Sequence, residues 1–110
     1  MSILVRAEFV VRDGAEQELL ELVRGLQGRV AEEPGTLRYD WFRGPSYVVV
    51  LEEYADSAAV VRHQEHVGDL LAKVFAVAEL RVLQVHGDVD AALQEVLDGL
   101  PVGQVFPPLG

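Results

Sequence analysis

The chain has 110 residues, half of them hydrophobic, no cysteine, and a formal net charge of -9. That length gives one domain, which buries roughly 60–70% of the surface its unfolded chain exposes. The charge repels phosphate backbones and anionic membranes, which argues against nucleic-acid and membrane partners; the missing cysteines exclude disulfides, thiol nucleophiles and thiolate-bound metals, and fit a reducing compartment.

The first residues, Ser2-Ile3-Leu4-Val5-Arg6, have no basic region leading a long apolar run. No signal peptide is readable, no run approaches the ~20 residues of a membrane helix, and the expected location is the cytoplasm. Residues 2–11 predict a strand: Ile3, Val5, Ala7, Phe9 and Val11 alternate with Leu4, Arg6, Glu8 and Val10. Asp13, with Glu16 three residues on, is a variant capping box for the helix that follows. Ala15, Leu19, Leu22, Val23, Leu26 and Val30 then recur at helical spacing, and Pro34-Gly35 ends the run. Gly25 and Gly28 inside it are either tolerated weak points or places of close packing.

Residues 36–43 predict a second strand, with Leu37, Tyr39 and Trp41 on one face and Arg38, Asp40 and Phe42 on the other. The turn Arg43-Gly44-Pro45-Ser46 leads to a third strand over 47–54. Asp56 caps a helix near 57–67, Gly68 interrupts it, and helix resumes to about Val77. Residues 79–87 predict a fourth strand. The order β-α-β-β-α-β is the α+β, ferredoxin-like split βαβ arrangement, here over residues 1–88. Residues 89–110 form a C-terminal extension. It holds a short helix from Asp90 to Asp98, ended by Gly99 and Pro101, and an uncharged tail whose Val105, Phe106 and Leu109 predict docking rather than solvated disorder.

The third strand is apolar on both faces: Tyr47, Val49 and Leu51 on one, Val48, Val50 and Tyr54 on the other. An antiparallel sheet with one wet face alternates cleanly, so each face here needs a cover. Two helices cover one. A second copy packed about a two-fold axis covers the other and makes a dimeric α/β barrel, and a homodimer is the expectation. A tail folded over the second face is the monomeric alternative.

Several chemistries lack their residues. No Gly-x-Ser-x-Gly elbow, dinucleotide-binding glycine motif or Walker sequence is present. Glu52 and Glu53 are adjacent on a strand and point to opposite faces, so they do not act together on one bond. Glu32-Glu33 reads as a solvated charge pair at a helix end. The second helix is more informative: Val60, His63, Val67, Leu70, Leu71 and Val74 share one stripe, which turns His63 toward the sheet. A free imidazole titrates near neutrality, which suits proton transfer. A core histidine satisfied by one hydrogen bond fits the same stripe, and a general base needs a cavity as well. His66 lies three residues on, but a zinc site needs at least three protein ligands, and no third residue has a reason to converge; no metal is expected. Tyr39, Trp41, Tyr54 and Phe75 point inward, as core or, beside an inward histidine, as the wall of a pocket for a flat aromatic ligand.

Three pieces in this order carry a family resemblance: Glu33-Pro34-Gly35-Thr36-Leu37-Arg38-Tyr39, then Val50-Leu51-Glu52-Glu53-Tyr54, then Val60-Val61-Arg62-His63. Over roughly residues 2–88 the chain resembles the antibiotic-biosynthesis monooxygenase family, which includes small quinol monooxygenases. The resemblance implies a dimeric ferredoxin-like barrel with a pocket between sheet and helices. It also implies oxidation of an electron-rich aromatic (quinol, phenol or anthrone) by molecular oxygen with no metal or organic cofactor. His63 matches the helix histidine of relatives, and Tyr54 stands where many have Trp. The haem-degrading branch needs an asparagine on the first strand, and this chain has no asparagine. His63 is therefore the expected catalytic group, and Tyr54, Trp41, Tyr39, Glu52 and Phe75 are expected to bind substrate. Two other functions fit the same barrel: a non-catalytic small-molecule-binding or regulatory module, and an isomerase or cyclase that uses His63 without oxygen.

Overall fold

The computed structural model describes residues 2–110; Met1, the first residue of the expected domain, lies outside them. In chain order the elements are β1 (Ile3–Val11), α1 (Glu16–Val30), β2 (Thr36–Arg43), β3 (Val48–Tyr54), α2 (Ser57–His66), α3 (Gly68–Val77), β4 (Ala78–His86), α4 (Ala91–Asp98) and β5 (Gln104–Phe106). The strands form one open sheet in the order β2-β3-β1-β4-β5. Every pairing is antiparallel except that of β5, which runs parallel to β4. The fold is α+β and ferredoxin-like, as the element order predicts, with a fifth strand added at the edge.

The alternation read in β1 sets the two faces of the sheet. Ile3, Val5, Ala7 and Phe9 are buried, whereas Leu4 is half exposed. Across the sheet, Val5 pairs with Glu52 and Val85, and Ala7 with Val50 and Leu83, so these side chains share the buried face. All four helices pack on that face. The core falls into two clusters. One joins Phe9 and Val50 to Leu19, Val23 and Leu26 of α1 and Val74 of α3. The other joins Ile3, Val5 and Val85 to Val60 of α2 and Leu93 and Leu97 of α4.

The helix ends show which local signals govern. Asp56 and Asp90 cap α2 and α4, each accepting from the backbone N–H three residues on at 2.9 Å. The cap expected of Asp13 is not made. The turn before α1 closes through backbone instead, Ala15 N–H donating to the Arg12 carbonyl, with Gly14 at φ 79°. Neither Gly25 nor Gly28 marks a tight approach: a Cβ on Gly25 would lie 3.5 Å from Leu70, and one on Gly28 would meet nothing within 4 Å. Leu37 does not share the inward face of Tyr39 and Trp41, because a register shift between Thr36 and Arg38 turns it out, 57% exposed.

The C-terminal extension does not cover the second face of the sheet. It completes the first. Ser57, buried at the start of α2, donates to the Asp88 carbonyl and accepts from the Asp90 N–H, tying the connection down. Helix α4 then packs beside α2, and β5 lengthens the sheet at β4. Leu93 is wholly buried in the cluster with Ile3, Val60 and Val85. Leu93→Ala is expected to cost about 2–5 kcal/mol of stability in urea denaturation, the range for deleting a packed leucine. A change below 0.5 kcal/mol would show that α4 is not part of the core.

Candidate functional site

The Glu33-Pro34-Gly35-Thr36 segment forms a tight turn between α1 and β2. Glu33 N–H donates to the Val30 carbonyl, Thr36 N–H to the Glu33 carbonyl, and Ala55 N–H to the Gly35 carbonyl. Gly35 lets this turn lie directly against α2, since a Cβ there would sit 2.7 Å from the Ala59 Cβ. The close approach brings the Glu33 carboxylate to the α2 histidines. One oxygen of Glu33 lies 2.8 Å from His63 Nδ1, the other 2.7 Å from His66 Nδ1, and Thr36 Oγ1 donates to it at 2.7 Å.

Burial alone would raise the Glu33 carboxyl, but the hydrogen bonds from His66, Thr36 and His63 outweigh it and hold the group below its ordinary range. Glu33 is therefore an ionised acceptor, and both Nδ1 atoms carry the proton. In His63 this leaves Nε2 as the nitrogen that Glu33 does not engage, in a ring that is 1% exposed. Sequence spacing alone reads Glu32-Glu33 as a solvated pair. Glu32 fits that reading, but Glu33 does not, because the turn folds its side chain inward against two histidines. The spacing of His63 and His66 at i and i+3 lets one acceptor serve both but does not say which residue it is.

Around Nε2 stand residues from two strands, β2 and β3. Glu52 Oε1 lies 3.9 Å away and accepts a hydrogen bond from the Tyr54 hydroxyl. The rings of Tyr39 and Tyr54 lie 5.2 and 5.4 Å from that of His63. Burial pushes the Glu52 carboxyl up, and the Tyr54 bond and nearby His63 reverse part of the rise. Burial and the Glu52 charge push both tyrosine hydroxyls up as well, so Tyr39 and Tyr54 stay neutral.

These groups border a cavity of about 60 Å³ at the seam between the two core clusters. His63, Glu52, Tyr39 and Trp41 line it on one side, and Leu93, Val96 and Leu97 of α4 on another. Tyr54 is placed behind His63 rather than on this wall. Phe75 lines the cavity, packs on Phe9 at 6.1 Å between ring centroids and is 36% exposed. Trp41 stacks on Phe9 at 5.6 Å, and its Nε1 is a buried donor without a hydrogen-bond partner among the described residues. Leaving such a donor unpaired costs about 1–3 kcal/mol. No group of three or more His, Asp or Glu able to hold a metal occurs among the described residues. No helix there is long and apolar enough to cross a membrane.

The proton affinity of Glu52 has a consequence for stability. Unfolded, Glu52 ionises near its ordinary 4.5; folded, it ionises at higher pH. Its contribution is therefore full below the unfolded value and declines as pH rises through the folded one. Glu52→Gln, which keeps an acceptor for Tyr54, removes that decline. The variant is expected to gain stability over the native chain at pH 7 and none at pH 4 in urea denaturation. An equal change at both pH values would sink the argument.

A family model, "Antibiotic biosynthesis monooxygenase", matches residues 2–68. Comparison with curated proteins finds no match. Among solved structures, MupZ from Pseudomonas fluorescens superposes with a TM-score of 0.81 at 18% identity, over 99% of this chain and 91% of its own. That span includes the C-terminal extension. SnoaB from Streptomyces nogalater, a cofactor-independent oxygenase crystallised as a mutant, superposes with a TM-score of 0.67 at 18% identity, over 76% of this chain and 89% of its own. An antibiotic biosynthesis monooxygenase gives a TM-score of 0.65 at 30% identity, over 76% of this chain and 92% of its own. The family match across most of the chain, joined to that last relative, places this protein in the antibiotic biosynthesis monooxygenase family.

Proposed function

We propose that this protein oxidises an electron-rich aromatic, a quinol, phenol or anthrone, with molecular oxygen and without a cofactor. The observation that carries the reading is a buried imidazole, locked by Glu33 with Nε2 free, at the wall of an apolar cavity. The family and its cofactor-independent oxygenase SnoaB support the reaction class.

His63 Nε2 takes the proton of the substrate hydroxyl, and the imidazolium that forms is stabilised by the ionised Glu33. The aryloxide then gives one electron to oxygen. The aryloxyl radical and superoxide combine to form a C–O bond, and His63 returns the proton to the peroxide. The O–O bond breaks with loss of water. In an anthrone the CH2 carbon becomes C=O, the carbon supplies four electrons, one oxygen atom stays and the other leaves as water. The chain contributes desolvation and orientation: in a dry cavity the aryloxide loses its hydration and is easier to oxidise. Tyr39, Trp41 and Phe75 shape the aromatic side of the cavity, and Tyr54 with Glu52 supports His63 from the other. Ligand pockets usually measure ~300–1,000 Å³, so substrate admission displaces a wall.

Glu52 supports a second reading. A carboxyl whose proton affinity is raised by burial, across from the imidazole nitrogen that Glu33 does not engage, is an acid–base pair suited to an isomerase or cyclase. Oxygen dependence separates the two. With metal-stripped protein and a panel of quinols and anthrones, oxygen uptake is expected well above a protein-free autoxidation control. His63→Ala is expected to lower it about 10²–10⁴-fold, the usual span for a lost general base. Uptake at the control rate with every substrate would favour the second reading.

The working unit in this proposal is a cytoplasmic homodimer. The uncovered sheet face carries Leu4, Phe42, Val49, Leu51 and Val82, with Leu4 50% and Phe42 47% exposed. Arg6 and Glu8 pair in their midst, so one copy presents both charges to its mate. The extension leaves this face bare, and a second copy packed sheet to sheet covers it. Light scattering at micromolar concentration is expected to give twice the chain mass, and Leu51→Lys to halve it. A single-chain mass for the unmodified protein would exclude the dimer.

A further inference from the structure

His66 has no part in the reaction proposed above, yet it is the solvent end of a row of side chains that reaches the cavity. The row alternates carboxyl and imidazole groups: Glu32, His66, Glu33, His63 and Glu52. Glu32 Oε1 lies 3.4 Å from His66 Nε2, Glu33 bridges the two Nδ1 atoms at 2.7 and 2.8 Å, and Glu52 Oε1 stands 3.9 Å from His63 Nε2. Exposure falls along the row: the side chain of His66 is 37% exposed, that of Glu33 10% and that of His63 1%. His63 lines the cavity and also the surface cleft that holds Glu32, Glu33 and His66, so its ring stands between the two.

One carboxylate therefore serves two imidazoles. The protons they donate meet its two oxygens, closer together than the ~8 Å over which physiological salt screens a charge. When His66 takes up a second proton, Glu32 and Glu33 both face the imidazolium. Glu33 then binds that ring more strongly and His63 more weakly, because one negative charge is divided between them. The other charges around His66 are arranged differently. Arg29 is bound to Asp69 of α3 and to the His66 carbonyl, and Arg62 and Glu65, of opposite sign, line the same cleft. Deeper in, His63 faces Glu33, Glu52, Tyr39 and Tyr54. We propose that His66 is a positioning residue for His63 and acts through Glu33: uncharged, it holds the carboxylate against the buried ring, and charged, it draws the carboxylate away. A histidine in contact with solvent thus sets the strength of a base inside the core. This rests on the reading of His63 as the proton acceptor and adds the residue that regulates it.

The chain has three histidines, so their ring signals are assignable in a nitrogen–proton correlation spectrum of the ligand-free protein. Spectra are taken between about pH 8 and about pH 5, the window in which imidazoles charge. In the native chain the His63 Nδ1–H is expected to move upfield in step with the charging of the His66 ring, as its bond to Glu33 weakens. Protonation of His63 itself would move that signal downfield, toward the stronger bond of an imidazolium, so the direction separates the two events. His66→Asn keeps a side-chain N–H near the place of Nδ1 and cannot charge; there the upfield movement is expected to vanish. His66→Gln, equally uncharged, repeats the comparison should the first variant fail to fold. His86, whose Nδ1–H donates to the Leu4 carbonyl at 3.0 Å, lies outside the row and is expected to behave alike in every chain. The proposal falls if His66 takes up no proton in this window, if the His63 signal stays still while it does, or if the signal moves alike in native and variant chains. No substrate is present, so oxygen uptake decides the oxygenase separately. Uptake that depends on His63 without the spectral coupling keeps the base and removes the role of His66. Coupling without uptake keeps the link between the histidines and removes the oxygenase.

Discussion

A buried imidazole has two ring nitrogens and no water to serve them, so its place in a core depends on what meets each one. Here one carboxylate settles half of that demand for two histidines together. Glu33 accepts from Nδ1 of His63 and of His66 through its two oxygens, and Thr36 adds a third donor. Three donors keep the carboxylate ionised, and an ionised carboxylate in turn keeps the protons on the Nδ1 atoms. The orientation of the His63 ring, with Nδ1 on Glu33 and Nε2 toward Glu52, follows from a turn on another element. That turn reaches α2 because Gly35 has no side chain to hold it off Ala59.

The cavity owes its character to how the helical layer is closed. A four-stranded ferredoxin-like sheet with α1, α2 and α3 would leave the β1–β4 side of its inner face partly bare. Helix α4 fills that gap, so the second core cluster draws on the first strand and on residues more than eighty positions later. The seam between the clusters is the cavity. Its wall is apolar except at His63, Gln64, Glu52, Tyr39 and Trp41, so charge–charge effects there are stronger than at a surface. Burial pushes Glu52 and the tyrosines upward for this reason, and Glu33 stays charged only because it has three donors. One extension thus closes the cavity and lowers its dielectric.

The two faces of the sheet have different fates. The inner face is saturated by the chain's own helices, and the tail that might have covered the outer face is used up as α4 and β5. The edge at β4, otherwise open, is extended by β5. The opposite edge, β2, begins with a register shift that turns Leu37 outward and keeps Tyr39 and Trp41 in register with Glu52 and Val50. That local irregularity aligns the aromatic wall of the cavity with the histidine.

Much of this was legible in the chain's own periodicities. The element order, the Asp56 cap, the inward stripe of α2 carrying His63 and the short helix near 90–98 each depend on residues within one or two turns of each other. A sequence records such neighbours directly. Tyr39, Trp41 and Glu52 could be assigned to the inner face for the same reason, since alternation in a strand is local. The inward side chain of Glu33, the backbone closure that displaces an Asp13 cap, the outward turn of Leu37 and the face chosen by the extension were not legible. Each depends on how distant segments meet. Glu33 and His63 are 30 residues apart, and whether that carboxylate is solvated or buried depends on the approach of the turn to α2. The sequence by itself determined the elements and the inward faces of β1, β3 and α2; the tertiary structure alone decided what meets them there, because contact between distant segments depends on register and packing that no local pattern encodes.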